Sequence, residues 1–184
     1  VITRVFQDPL AGTCADLSIE ENMAIALARG KRRGLGHALT VPRRDGIREA
    51  LSRLGLGLEN RLHDSMGLLS GGQRQAISLL MASLTDSKLL LLDEPTAALD
   101  PRTSDFVMKL TDDLVRELKL TVLMVTHSMR QALDHGDRTI MLHQGRIVFD
   151  IAGHERTQLD VPDLLAVFSQ RSGKELSDDS LLLG

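Results

Sequence analysis

Two short stretches carry residue types suited to phosphate chemistry. In "LLLLDEP" (residues 89–95) an apolar run ends in the carboxylates Asp93 and Glu94, followed by a proline. A run of this kind fits a strand buried in a parallel sheet. The pair then lies at the carboxyl edge, where α/β folds bind ligands. A first carboxylate there can hold Mg²⁺ on a nucleotide, and a second can polarise an attacking water as general base. In "LSGGQ" (residues 69–73) Ser70 is positioned to cap a helix, and Gly71 and Gly72 leave its first amides unshielded. A helix N-terminus with bare amides and a hydroxyl is an anion site. Taken singly, each stretch also has a plainer reading: a solvated strand end, and a glycine turn before a buried helix. A phosphate loop of the form G-x-x-x-x-G-K-[S/T] does not occur among the 184 residues.

The elements that must position these residues follow from periodicity. Residues 1–6 alternate apolar and polar and read as a strand ending at Gln7, before Asp8-Pro9. Residues 17–29 read as a helix, with Ser18 as N-cap and Glu21 completing a capping box. Residues 30–46, rich in Gly, Arg and Pro, read as a loop, and 45–54 as a second helix. Ser70 opens a helix to about Leu84, whose apolar residues surround the axis and predict burial on most faces. Residues 89–92 read as a strand buried on both faces, 104–118 as an amphipathic helix, and 121–125 as a second buried strand. Strand, helix, strand implies a right-handed crossover in a parallel sheet. Residues 139–149 read as a hairpin turning at Gln144-Gly145, and 161–169 as a helix before a frayed polar tail.

Composition narrows the function classes. Hydrophobic residues at 42% allow a packed core, and a net charge of −3 gives no overall attraction to nucleic acid or anionic lipid. Four Phe without Tyr or Trp do not supply a base-stacking surface. Cys14 is the only cysteine, so neither an intrachain disulfide nor a cysteine zinc site can form; it reads as a small, partly buried residue. His63, His135, His143 and His154 lack metal-ligand spacing. The basic stretch Arg29, Lys31, Arg32, Arg33, Arg43 and Arg44 reads as a solvated loop, and Met81, Met108, Met124 and Met141 read as core. No apolar run approaches the length of a membrane helix.

The order of the pieces resembles the ATP-binding subunit of ABC transporters. Gln7 in "VFQDP" stands where the family has its Q-loop glutamine, and Leu69 to Gln73 match the family signature letter for letter. Asp93 and Glu94 stand as the Walker B aspartate and catalytic glutamate, 23 residues after Ser70 in the case of Asp93, as in the family. "AALD" ends at Asp100 like the D-loop, His127 after "TVLMVT" stands as the switch histidine, and "MLHQGRIV" is similar to the hairpin that follows it. Ala76 and Met81 stand where arginines are common, a departure that bears on subfamily.

The resemblance implies an α/β fold, a P-loop NTPase-like ABC ATPase core with a helical subdomain. Only six residues precede Gln7, so the N-terminal strands and phosphate loop are expected upstream and the chain is expected to be the C-terminal three-quarters of such a subunit. It divides into a Q-loop strand (1–9), a helical subdomain (10–69), the signature helix, Walker B, D-loop and switch region (70–150), and a C-terminal helix and tail (151–184). The implied catalytic residues are Glu94, His127 and Gln7. Ser70, Gly71, Gly72, Gln73 and Asp100 are implied to bind nucleotide, and Asp93 and Gln7 to bind metal, with ATP and Mg²⁺ as cofactors. In this family the signature of one subunit faces the ATP held by a second, so a homodimer is implied. A transmembrane permease subunit is implied too, which would hold the chain at the cytoplasmic face of the inner membrane without nucleic acid. "LSGGQRQAISLLMA" is similar to importer subunits that serve amino-acid systems. Without a phosphate loop, the chain by itself is expected to turn over ATP negligibly and to be marginal or prone to association. The alternatives are a soluble ABC ATPase of DNA repair or translation, and a non-catalytic truncated regulator. The interval between Asp8 and Leu69 shows no sustained heptads, unlike the coiled coil of the repair enzymes.

Overall fold

The structure, a computed structural model, describes residues 2–31, 36–84 and 87–172. The chain divides into two compact units, residues 1–125 and 126–184.

The first unit is built on a parallel sheet of order β1-β2-β3, comprising β1 (Ile2–Val5), β2 (Leu89–Asp93) and β3 (Thr121–Val125). Val5 lies opposite Leu92, and Asp93 opposite Val125. Parallel neighbours need a long connection. Helix α4 (Pro101–Leu118) provides it between β2 and β3, as the strand–helix–strand pattern predicts. A helical region separates β1 from β2: α1 (Ile19–Leu27), α2 (Val41–Ser52), two 3₁₀ turns (Leu58–Asn60 and Met66–Leu68) and α3 (Gly71–Ser83).

Local signals explain most of these boundaries. Ser18 accepts from the Glu21 amide while the Glu21 carboxylate accepts from the Ser18 amide, the capping box expected for α1. These bonds from Ser18 hold the Glu21 carboxyl below its usual range. Helix α2 begins at Val41, four residues earlier than periodicity suggests, because Pro42 sits in its first turn, where the missing amide costs nothing. Helix α4 likewise starts at Pro101, capped by Asp100, rather than at 104.

Helix α3 joins two apolar clusters. Ala76, Ile77, Leu80 and Met81 pack with α1, α2 and the 3₁₀ turns, through Ile19, Met23, Leu51 and Leu58. Leu79 and Ala82 pack against the sheet residues Val5, Leu90 and Leu92, with Leu114 of α4. Burial on most faces of α3 is therefore observed, but the strands differ from expectation. On β2 only Leu90 and Leu92 are buried, while Leu89 and Leu91 are half-buried. Strand β3 is not a buried strand: Leu123 and Val125 are each 55% exposed, on the sheet face that also carries Ile2. An apolar run cannot distinguish one covered face from two. Cys14 is exposed rather than partly buried. Of the four methionines, Met81 and Met108 are buried, and Met124 and Met141 half-buried.

Arg44 is not part of a solvated loop. It lies on α2 and grips Glu20 of α1 with Nε–Oε2 at 2.8 Å and Nη2–Oε1 at 3.2 Å. The Glu20 side chain is 5% exposed, and His63 Nδ1 lies 3.3 Å from its second oxygen. Arg32 and Arg33 lie outside the described residues.

The second unit contains α5 (Met129–Asp134), the hairpin β4 (Arg138–His143) and β5 (Arg146–Ala152), α6 (Gly153–Arg156) and α7 (Val161–Ser172). The hairpin turns at Gln144-Gly145 with φ of 49° and 74°, left-handed at both central residues as a type I′ turn requires. Arg156 is buried and donates to the Ala132, Leu133 and His135 carbonyls, closing the C-terminus of α5. The expected polar tail from residue 173 onward lies outside the described residues.

Two outcomes follow from these ion pairs. Arg44→Met should lower the urea unfolding midpoint, because it strands a buried carboxylate, and Glu20→Gln should lower it less. Across the hairpin, the two bonds from Arg138 to Asp150 hold that carboxyl below its usual range. A depressed folded-state pKa contributes stability that is complete above the unfolded value and is lost as pH falls through the folded one. The second unit should therefore lose stability below about pH 4, a dependence that Asp150→Asn should flatten in thermal scans.

Candidate active site

The parallel register determines which residues meet at the carboxyl edge of the sheet. With Val5 opposite Leu92, the chain leaves β1 into Phe6 and Gln7, and leaves β2 into Asp93 and Glu94. Gln7 is exposed; Asp93 and Glu94 are half-buried. Sequence reasoning did not anticipate Arg4. Its guanidinium pairs with the Asp93 carboxylate and lies 4.7 Å over the Phe6 ring. The alternation of β1 holds the signal, since residue 4 must share the sheet face of residues 91 and 93. Asp93 offers hard carboxylate oxygens. Mg²⁺ takes one or two such groups and fills its remaining positions with water and phosphate oxygens, so the donors present suit it.

Glu94 has φ of 43°, in the left-handed region. This conformation costs a non-glycine residue about 1–3 kcal/mol and clusters at functional positions. It is held on both sides: the Glu94 amide donates to the Val125 carbonyl at 2.9 Å, and the Ala97 amide donates to the Glu94 carbonyl at 3.2 Å. The turn directs the chain off β2 toward the start of α4.

The signature residues form a second constellation at the N-termini of α3 and α4. Ser70 Oγ accepts from the Gln73 amide at 3.2 Å, and Gln73 Oε1 accepts from the Ser70 amide at 3.1 Å. Gln73 thus closes a capping box, a role its position three residues after the cap signals. The Gly71 and Gly72 amides lie in the first turn, ahead of the Gln73 amide that Ser70 caps. Asp100 caps α4 in the same way. Its oxygens accept from the Thr103 amide at 3.1 Å and the Thr103 hydroxyl at 2.6 Å, and the hydroxyl bond is the larger reason its carboxyl is held below the usual range. The two helix starts touch, since Gly71 faces Leu99 and Gly72 faces Thr103.

Gln75, in the buried run of α3, is 1% exposed. Its Nε2 donates to the Phe6 carbonyl at 3.3 Å, which ties α3 to the residue before Gln7, and its Oε1 has no partner among the described residues. The sequence holds no clear signal for it, because Gln75 follows the polar residues Gln73 and Arg74 in the same helix. His127 lies near the start of the second unit, beside the N-cap Ser128, and is exposed. Around it Thr126 Oγ1 accepts from the Ser128 amide and lies 3.0 Å from Gln131 Oε1.

Parallel strands that end in carboxylates, together with a helix that has a capped glycine-rich start, place the chain among α/β folds whose ligands bind at the carboxyl edge of the sheet. Residues 1–97 match the ABC transporter family, and the chain belongs to it. It is 46% identical over 168 residues to a tyrosine transport ATP-binding protein of Clostridioides difficile, covering 91% of this chain and 66% of that protein. It is 38% identical over 108 residues to a phosphonates import ATP-binding protein of a Ruegeria species, covering 58% of this chain and 42% of the relative. Among solved structures, a dimeric ATP-binding cassette in a post-hydrolysis state with ADP and Pi superposes with a TM-score of 0.65 at 30% identity, covering 82% of this chain and 62% of that one. The chain therefore spans less than two thirds of the length of each of these proteins.

Gln75→Leu should change stability by less than about 1 kcal/mol, because it removes both a buried bond and a buried unpartnered oxygen. Amide exchange at Leu10, Ala11 and Thr13, in the loop that Phe6 leads into, should nevertheless accelerate. Unchanged exchange there would show that Gln75 does not hold the loop.

Proposed function

We propose that the protein carrying these residues is the ATP-hydrolysing subunit of an importer for a small amino-acid-like solute. The reading rests first on Glu94, a strained carboxylate directly after Asp93 at the carboxyl edge of β2. The likeness to relatives named for tyrosine transport and phosphonate import supports the import direction, and the former supports the solute class.

In this reading Glu94 is the general base that takes a proton from the attacking water. Asp93 and Gln7 would hold Mg²⁺, which when bound would supply positive charge beside the phosphoryl group. Arg4 pairs with Asp93 while its guanidinium lies over the Phe6 ring, so it would have to release that carboxylate for a cation to bind there. His127 contacts the γ-phosphate. Ser70 Oγ and the Gly71 and Gly72 amides grip the γ-phosphate of ATP held by a second subunit, with Gln73 bracing Ser70 and Asp100 lining the same face. The likeness to a dimeric cassette supports this two-subunit arrangement. The partner is a transmembrane permease, which holds this subunit at the cytoplasmic face of the membrane. No helix among the described residues is long and apolar enough to cross a membrane.

The test is MgATP turnover by the protein purified from its source together with its membrane partner. Glu94→Gln should lower kcat by about 10²-fold or more while ATP still binds, and His127→Ala should also cut turnover while sparing ATP binding. Glu94→Gly should also lose turnover, yet gain up to about 1 kcal/mol in urea unfolding because it relieves the left-handed backbone. Full turnover in Glu94→Gln would remove Glu94 from the mechanism. Purification with nucleic acid instead of a membrane protein would favour a soluble ABC ATPase.

A further inference from the structure

Two physical reasons favour glycine at positions 71 and 72: bare amides for a phosphate, or space for a neighbour. The geometry around Gly72 decides for the neighbour. A Cβ built on Gly72 would lie 2.1 Å from Thr103 Cγ2, far inside any real contact, but 3.5 Å from Thr103 Cβ and 3.9 Å from Oγ1. One methyl group alone therefore fills the space of a side chain at position 72. At Gly71 the nearest atom is Leu99 Cδ2 at 3.4 Å, an ordinary contact with the end of a flexible side chain. The Thr103 methyl cannot easily swing aside. Its hydroxyl donates to Asp100 Oδ2 at 2.6 Å, while its own amide donates to Oδ1 at 3.1 Å, so rotation about χ1 breaks the cap of α4. Gly72 is itself buried.

We infer that Thr103 is a positioning residue, whose methyl group, aimed by Asp100, locks the start of α3 onto the start of α4 and thereby imposes glycine at position 72. The Ser70 hydroxyl and the first amides of α3 then move with Asp100 as one body. The inference rests on the proposed ATPase only for its functional consequence; the packing stands without it. Thr103 has a legible local role as the third residue of a capped helix, but its contact with Gly72 lies between two different elements.

The test is a mutant cycle of Gly72→Ala, Thr103→Ser and the double variant, since Thr103→Ser deletes only the clashing methyl and keeps the hydroxyl for Asp100. Gly72→Ala should lower the unfolding midpoint by about 5 °C. Exchange of the Gln73 amide should rise about 10-fold as the start of α3 loosens. The double variant should return both to the Thr103→Ser baseline. If Gly72→Ala does not fold, recovery of soluble protein in the double variant is the same rescue. An Ala at position 72 that is tolerated, or one that Thr103→Ser fails to rescue, overturns the inference. In the protein purified with its membrane partner, turnover should fall about 10-fold or more in Gly72→Ala and recover in the double variant. Folding rescued without turnover would mean that the nucleotide itself demands the glycine, and it overturns the positioning role. No turnover even in the wild type would refute the ATPase reading, and the exchange cycle would then decide the role of Thr103.

Discussion

The parallel pairing of β2 between β1 and β3 is the constraint on which the site depends. Parallel strands point their carboxyl ends the same way, so whatever follows each strand is delivered to one edge. The register of Val5 with Leu92 makes β1 and β2 run on into Gln7 and into Asp93-Glu94 at the same edge of the sheet, although more than half of the first unit separates them in sequence. Antiparallel pairing of the same strands would carry Gln7 to the opposite edge. Backbone geometry therefore accounts for the gathering of these groups before any side-chain contact is considered.

Helix α3 makes this pairing possible. It gives buried residues to both apolar clusters, Ala76, Ile77, Leu80 and Met81 to one and Leu79 and Ala82 to the other. Its N-terminus presents the signature, and its middle sends Gln75 to the Phe6 carbonyl. A shift of α3 would thus be felt at the start of α4 and at the Q-loop together. Buried helices of this kind transmit displacement because close-packed interiors have no slack.

A strained residue and an ion pair both stand where the chemistry is expected. Glu94 holds an unfavourable backbone conformation that the Val125 carbonyl and the Ala97 amide sustain. Arg4 keeps Asp93 paired, so the carboxylate is not left uncompensated beside half-exposed apolar strands. The second unit shows the contrasting use of charge, in which Arg156 serves the carbonyls that end α5 and the Arg138–Asp150 pair braces the hairpin.

Much of this was legible from the sequence because it is local. The capping boxes of Ser18 and Ser70, the left-handed hairpin turn at Gln144-Gly145 and the amphipathic α4 are written in residues three or four positions apart, where one element's own hydrogen bonds decide the outcome. The motif order also identified the family. Element starts at Val41 and Pro101 were misjudged because proline reads as a breaker until its place in the first turn is known. The one-sided burial of β2, the exposure of β3, the Arg44–Glu20 grip, the pairing of Arg4 with Asp93 and the fit of Thr103 against Gly72 belong to the tertiary structure alone. Each depends on which surfaces meet, and that is decided by packing between elements distant in the chain, which no local periodicity encodes.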